Sequence, residues 1–200
     1  ELLDAKLAKG KVTRADMEEM QRDTRTPLVD TVVPRLAAAI QAIGADAKLA
    51  EFEGRADLVA LAARLEGWDG RFVRDSGEAV VFFGLQWFAA RRVFEGPFTK
   101  PLFEGIANAS EPYFIGQLRN VLEGRFPGAS AFLPEGEAVL LLRALDDTSQ
   151  WLQARFGGID AAYAWRDVHV AELGTGFGGA LAVPSLARDG GIDTVNVSDC

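Results

Sequence analysis

Cysteine and histidine are almost absent from this chain, which has one of each among its 200 residues. A single cysteine cannot form an intrachain disulfide, so cysteine usage leaves the redox compartment open. A structural zinc site needs about four nitrogen or sulfur ligands, and His169 and Cys200 alone cannot supply them. The sequence therefore predicts neither a disulfide framework nor a zinc centre.

Positive charge is also scarce. The 21 lysines and arginines stand against 29 aspartates and glutamates, which gives a formal net charge of −8. No basic stripe compensates for this balance, and sequence-independent binding to nucleic acid depends on basic residues that neutralise phosphates. We therefore expect no nucleic-acid partner.

Long apolar runs are missing as well. The strongest run, Ala79 to Ala90, contains Gln86, is followed by two arginines, and has the length of a core helix rather than of a membrane span. The segment Leu2 to Leu7 is too short and too interrupted by charge to be the apolar core of a signal peptide. The sequence favours a soluble protein without a membrane segment.

Helical periodicity is abundant, and 48% hydrophobic residues are enough to bury a sizeable core. Thr13 and Asp16 have the spacing of a capping box, Asp75 or Ser76 can cap the apolar run, and Ser110 stands before Pro112 as another start signal. Apolar residues at helical spacing predict five or six helices. These begin near Thr13 and continue over about 27–44, 58–67, 76–90, 110–124 and 135–156.

The pattern changes after residue 160. Glycines cluster between Gly174 and Gly191, and the polar residues of Thr194 to Ser198 alternate with valines in the period of a strand. We therefore expect a helical region over 1–160 and a loop and strand over 161–200. The predicted fold class is a mainly α-helical block with a terminal β-strand. Because the chain opens on Glu1 and this strand comes just before its last residue, both ends resemble cuts in a longer protein.

His169 has two interpretations. A catalytic triad could combine it with Ser185 and Asp167, but no nucleophile-elbow pattern surrounds that serine. Alternatively, local hydrogen bonds hold its ring beside Trp165. The sequence favours the second interpretation.

Two other patterns match a cofactor-binding motif or a catalytic pair in residue spacing alone. Gly174 to Gly179 has the glycine spacing of a dinucleotide-binding turn, but no convincing strand precedes it and a poor helix start follows it. Asp146 and Asp147 could be taken for paired catalytic carboxylates. Adjacent residues on a helix point in different directions, so a solvated helix face explains them better.

A set of small motifs, in their order and separations, resembles the penicillin acylase, or penicillin amidase, family of N-terminal-nucleophile amidohydrolases. The resemblance covers Leu2 to Ser198 and would place the chain in the C-terminal part of the large β subunit. The motifs are Gln21-x-Asp23, Pro34, Leu65-x-x-Trp68-Asp69-Gly70, Ser76, Trp87, Trp165-x-x-x-His169, Pro184 and Gly190-Gly191-x-x-Thr194-Val195-Asn196.

The resemblance implies a larger enzyme with an α+β (αββα) catalytic body. Its precursor cleaves itself to expose an N-terminal serine, whose α-amino group acts as the base during attack on an amide carbonyl. In this family the nucleophile, the oxyanion asparagine and the calcium ligands lie before the position of Glu1. The resemblance therefore assigns no catalytic, cofactor-binding or metal residue to this chain, and it admits calcium only in the parent enzyme.

The resemblance also implies partners and a location. The partners are the α subunit, the rest of the β subunit and a small N-acyl amide substrate. β-Lactam antibiotics, acyl-homoserine lactones and other N-acyl compounds all remain candidate substrates, and the fragment alone should be inactive. Relatives of this kind are periplasmic or secreted.

Several structural expectations carry over from the family. Trp68-Asp69-Gly70 should end a helix and turn the chain, and Trp165 with His169 should brace the approach to the catalytic sheet. Residues 194–198 should form a strand of that body, with Asn196 giving hydrogen bonds near the site.

Two alternatives from other classes stay open. One is a non-catalytic helical interaction module that binds through an exposed patch of Phe94, Phe98 and Phe103. The other is a self-contained hydrolase that uses Ser185 and His169.

Overall fold

The computed structural model describes residues 2–171, 186–191 and 194–196, with the backbone alone for 107–112. Within these ranges the chain forms seven α-helices, three short 3₁₀ helices and two short strands. The α-helices are α1 (Leu2–Leu7), α2 (Arg14–Gln21), α3 (Val29–Ala42), α4 (Ala56–Glu66), α5 (Gly77–Phe94), α6 (Lys100–Leu122) and α7 (Glu137–Phe156). The 3₁₀ helices are Ala47–Phe52, Ala129–Phe132 and Trp165–Asp167.

The two strands, β1 (Val170–Ala171) and β2 (Leu186–Ala187), pair in antiparallel orientation, with Val170 opposite Ala187. The predicted mainly α-helical block is therefore confirmed, and the β structure that accompanies it in the described residues is this short two-stranded pair. The domain boundary at residue 160 stays a prediction. No helix in the described part of the chain is long and apolar enough to cross a membrane.

Helix α5 is the centre of the fold, as its apolar sequence predicts. It packs most extensively against α7 and next against α6. The contact with α7 is close at Gly84, because a Cβ atom placed there would lie 2.7 Å from Cγ2 of Thr148. The Thr148 hydroxyl donates a hydrogen bond of 2.7 Å to the carbonyl of Ala144, which fixes its rotamer. Glycine at position 84 therefore sets how closely the two helices approach.

The local helix-start signals are confirmed at two helices. The Thr13 hydroxyl accepts from the amide of Asp16, and the Asp16 carboxylate accepts from the amide of Thr13, which completes the capping box of α2. The Ser76 hydroxyl accepts a 3.0 Å hydrogen bond from the amide of Ala79 and caps α5. Pro27 lies in the turn just before α3, which begins at Val29.

The helix start predicted at Ser110 is wrong. Helix α6 begins at Lys100, with Thr99 at the N-cap and Pro101 in its first turn, and it continues through residues 110–112. Phe103 packs against Trp87 of α5, Phe114 packs against Phe94 of α5, and the two phenylalanine rings stack on each other at 4.7 Å. A straight helix would separate residues eleven positions apart by about 16 Å along its axis, so this contact requires α6 to bend between them, as a proline inside a helix favours. Burial of both aromatic rings against α5 favours one bent helix over the break that Pro112 suggests.

The strand predicted over 194–198 is also wrong where the structure describes it. Thr194 to Asn196 form a bend, and Val197 and Ser198 lie outside the described residues. The Thr194 hydroxyl hydrogen-bonds to the backbone of Gly191, and such local bonds from threonine compete with an extended strand.

The exposed phenylalanine patch is not formed. Phe94 and Phe103 are only 5% and 2% exposed, and Phe98 is partly buried. The rings of all three residues lie against Phe114, because they fill the crossing of α5 and α6. These residues belong to the core and are not available as a docking surface.

Gln86 of α5 has a buried side-chain oxygen without a hydrogen-bond partner among the described residues. Its side chain is 1% exposed, and within the described residues its Oε1 is the one buried side-chain oxygen or nitrogen without a hydrogen-bond partner. We expect Gln86→Leu to raise the free energy of unfolding by about 1–2 kcal/mol, because it removes an unsatisfied buried carbonyl at nearly constant volume. Urea unfolding measures the change. The same substitution at exposed Gln41 of α3 is the control and should change stability little; a loss of stability in Gln86→Leu would contradict the prediction.

Candidate functional site

Most of the residues that carry the family-like motifs meet at one place although they are far apart in the sequence, whereas Pro34 lies inside α3 and Trp87 inside α5. We call this place the loop junction and define it as the described residues of 22–26, 68–76, 163–169 and 186–196. The segments contact one another through backbone hydrogen bonds and aromatic rings. The junction is the candidate functional site because it collects most of these motifs.

The first two segments pair like a short antiparallel ladder. The amide of Thr26 donates to the carbonyl of Gly70 at 2.9 Å, and the amide of Phe72 donates to the carbonyl of Thr24 at 2.9 Å. A single antiparallel bridge joins Arg25 and Arg71 between them. This ladder is the frame on which the C-terminal segment lies.

The Trp68-Asp69-Gly70 turn has the predicted form. Helix α4 ends at Glu66, and the Asp69 carboxylate accepts a 3.0 Å hydrogen bond from the amide of Arg71. Gly70 has φ +80°, and a Cβ atom there would lie 2.7 Å from Cγ1 of Val29. Both the conformation and the space therefore require glycine.

An aromatic column connects this turn to the C-terminal part. The ring of Phe72 lies 5.4 Å from that of Trp68 and 4.8 Å from that of Trp165, both edge-on. Trp165 is 2% exposed, and its indole Nε1 donates to the carbonyl of Gly190 at 2.8 Å. The indole therefore contributes both packing and a hydrogen bond to the junction.

His169 has the environment that the favoured interpretation predicts. Its ring stacks on that of Trp165 at 4.9 Å, and its amide donates to the Trp165 carbonyl at 2.8 Å. Its Nδ1 lies 3.3 Å from the carbonyl oxygen of Arg188. The Asp167 carboxylate accepts from the amide of Ala164 instead of orienting the imidazole. The functional role of His169 stays a prediction.

Other proposed groups fall outside the described residues, namely Ser185, Gly174 to Gly179, Pro184 and Cys200. The groups of the possible triad are therefore not brought together by anything the structure describes. Across 2–171, 186–191 and 194–196, no three His, Cys, Asp or Glu side chains cluster as a metal would require.

Several charged side chains at the junction form ion pairs. Arg71 donates to the Asp23 carboxylate at 2.8 Å, and Arg25 forms a two-pronged contact with Asp30 at 3.0 and 2.6 Å. The Arg25 guanidinium holds the pKa of Asp30 below its usual range, with burial opposing it. These pairs fix the loops in place, and none of them presents a free acid or base to a substrate.

Asp146 and Asp147 diverge, as adjacent helical residues should. Asp146 pairs with Arg55, and Asp147 forms a two-pronged contact with Arg92 at 2.6 and 2.8 Å. Arg55 also holds Asp57, whose carboxylate accepts a 2.8 Å hydrogen bond from Ser149. No sequence pattern indicates this network, because Arg55 and Asp146 lie far apart along the chain.

Acid should weaken the Arg55 network. The Arg55 hydrogen bonds lower the pKa of Asp57 from its usual 3.8 to about 2, so the stabilisation is present above pH 4 and is lost as pH falls to 2. Because the Asp57 side chain is 31% exposed, solvent screening limits the contribution to about 1 kcal/mol. We expect Asp57→Asn to destabilise the chain at pH 6 and to have little effect at pH 2.

Chemical denaturation at several pH values measures this difference. Glu66→Gln, at an exposed position on α4, is the control and should give a pH-independent small effect. A constant deficit of Asp57→Asn from pH 6 to pH 2 would show that the carboxylate does not titrate in this window.

Comparison with known proteins gives one finding. A family model described as Penicillin amidase matches residues 1–200. No curated protein and no solved structure matches the chain.

Proposed function

The chain belongs to the penicillin amidase family, and we therefore propose that it is part of an amidohydrolase that cleaves the amide bond of N-acyl substrates. The nucleophile in this proposal is an N-terminal serine that lies outside these 200 residues. The observation that carries the proposal is the family match over the whole chain. The convergence of the motif residues at the loop junction supports it.

The chemistry of the proposal follows from the serine. Its hydroxyl attacks the amide carbonyl while its own α-amino group takes the proton, and backbone and asparagine donors stabilise the oxyanion. The amine leaves with a proton, and water then hydrolyses the acyl-enzyme to release a carboxylic acid. The role of the present chain is to support this machinery with a packed helical block and the loop junction.

The finer assignments are part of the same proposal. The substrates are β-lactam antibiotics, acyl-homoserine lactones or similar N-acyl compounds, which would connect the enzyme with antibiotic biosynthesis or quorum quenching. The partners are an α subunit and the remaining β subunit, any calcium is bound by those parts, and the enzyme is periplasmic or secreted. What supports them is family membership.

A reconstitution assay tests the proposal. The 200-residue chain and the complete enzyme are each incubated with a phenylacetyl amide, a β-lactam and an acyl-homoserine lactone, and the released amine is quantified. We expect release only by the complete enzyme, and loss of it when the N-terminal serine is replaced by alanine. Absence of release by the complete enzyme would contradict the proposal.

The same assay separates the alternatives. Release by the isolated chain that His169→Ala abolishes would favour a self-contained hydrolase instead. A non-catalytic interaction module is the second candidate function, but its proposed surface of Phe94, Phe98 and Phe103 lies in the core. Oligomerisation of the isolated chain, unchanged by the rest of the enzyme, would favour that candidate.

A further inference from the structure

The hydroxyl of Thr194 connects the backbone of Gly191 with that of Asn196, and we call the described residues 190–191 and 194–196 the turn. Thr194 is 7% exposed. Its Oγ1 accepts a 3.0 Å hydrogen bond from the amide of Gly191 and lies 2.9 Å from the carbonyl oxygens of both Gly191 and Asn196. A hydroxyl has one proton, so it donates to one of these carbonyls at a time. One side chain thus connects the beginning and the end of the turn.

The turn is attached to the helical block at Gly190. The amide of Gly190 donates to the carbonyl of Phe72 at 2.7 Å, and its carbonyl accepts from Trp165 at 2.8 Å. Gly190 has φ +90°, and a Cβ atom there would overlap the carbonyl oxygen of Asn196. The absence of a side chain at Gly190 is what lets Asn196 come so close.

The other end of the turn is attached at Asp23. The amide of Asn196 donates to the Asp23 carbonyl at 2.9 Å. The Asp23 side chain is 15% exposed and accepts from Arg71 at 2.8 Å and from the amide of Arg25 at 3.3 Å. The amide of Asn196 is therefore bound by Asp23, and its carbonyl shares the Thr194 hydroxyl proton with the carbonyl of Gly191.

We propose that Thr194 is a positioning residue that fixes the backbone of Asn196, and that hydrolysis by the complete enzyme depends on this placement, an inference that rests on the proposed function. Valine has the same shape as threonine and would fill the same space. The hydroxyl adds hydrogen bonds to the backbone, and these bonds hold Asn196 next to Gly191.

Amide hydrogen exchange in the 200-residue chain tests the placement. In Thr194→Val, exchange at Asn196 should rise at least about tenfold while α5 stays protected. In Thr194→Ser, which keeps the hydroxyl, it should stay within about threefold of the original rate. Gly190→Ala is a second variant, which keeps Thr194 but displaces the Asn196 carbonyl, and it should also raise exchange at Asn196. The matched control is Thr148→Val, which removes a buried hydroxyl within α7 and should leave Asn196 unchanged.

Kinetics of the complete enzyme test the dependence. Thr194→Val should lower kcat at least about tenfold with KM within about threefold, since displacement of a supporting segment by about 1 Å can have such an effect. Thr194→Ser should restore kcat, and Thr148→Val should not change it. The thermal midpoint of each variant shows whether kcat follows global stability instead.

Each result has one meaning. Unchanged exchange at Asn196 in Thr194→Val would overturn the placement, whatever Gly190→Ala shows. Fast exchange with an unchanged kcat, or a kcat that falls only with the thermal midpoint, would overturn the dependence of hydrolysis on it. If the complete enzyme hydrolyses no N-acyl amide, the proposed function fails, and the exchange experiment still decides whether Thr194 fixes Asn196.

Discussion

Truncation of Trp165 to alanine should lower the free energy of unfolding by about 3–5 kcal/mol, the largest effect expected in this chain. The indole is 2% exposed and contacts the rings of Phe72, Phe83 and His169. Its removal leaves a cavity and also takes the hydrogen-bond donor from the carbonyl of Gly190. Urea unfolding followed by far-UV circular dichroism measures the loss.

Two further variants separate packing from hydrogen bonding. Trp165→Phe keeps most of the ring and loses the donor, so it should cost about 1–3 kcal/mol. Trp151→Ala is the control, because that indole is only partly buried and has a ring contact with Phe156. If truncation at 165 and at 151 cost the same, the aromatic column would not be central to stability.

The second large effect is expected at Gly84. Gly84→Ala should destabilise the chain by about 1–3 kcal/mol, because the new methyl group would lie 2.7 Å from Cγ2 of Thr148. Thermal unfolding measures the change. Gly116→Ala in α6 is the matched control, since a Cβ atom there has no neighbour within 4 Å. That variant should stabilise the chain by up to about 1 kcal/mol through helix propensity alone.

A double-mutant cycle identifies the cause of the Gly84 effect. Thr148→Ser removes Cγ2 and keeps the hydroxyl that bonds to Ala144. In that background Gly84→Ala should be much less destabilising than in the original chain. An equal penalty in both backgrounds would show that the contact with Thr148 is not responsible.

The sequence predicted those features of the fold whose signals are local. The caps at Thr13 and Ser76 each depend on a hydrogen bond across three residues, so a short stretch of sequence contains both partners. The Trp68-Asp69-Gly70 turn was expected from the resemblance to the family, and its positive φ at Gly70 agrees with that expectation. Ser110 has an equally good local signal, but the packing of Phe103 and Phe114 against α5 overrides it.

The sequence predicted which residues belong to the candidate site but not that these residues contact one another. The order of motifs indicated that Asp23, Trp165 and Gly190 matter, but it did not reveal that they meet. Their contacts join segments that are distant in the sequence, and no periodicity encodes such a pairing. The alternating pattern of Thr194 to Ser198 predicted a strand where residues 194–196 form a bend. The sequence does not distinguish a threonine hydroxyl that bonds to the backbone of a turn from one that faces solvent in a strand.

The hydrogen bond from Asn196 to Asp23 has a consequence for the order of folding. It joins residues roughly 170 positions apart, so it cannot form until nearly all of these 200 residues have been synthesised. The pairing of Thr24 with Phe72 requires a far shorter loop and can form earlier. During synthesis on the ribosome, the carbonyl of Asp23 therefore lacks its partner after the ladder has formed. Formation of the hydrogen bond from Asn196 is expected to be a late folding step.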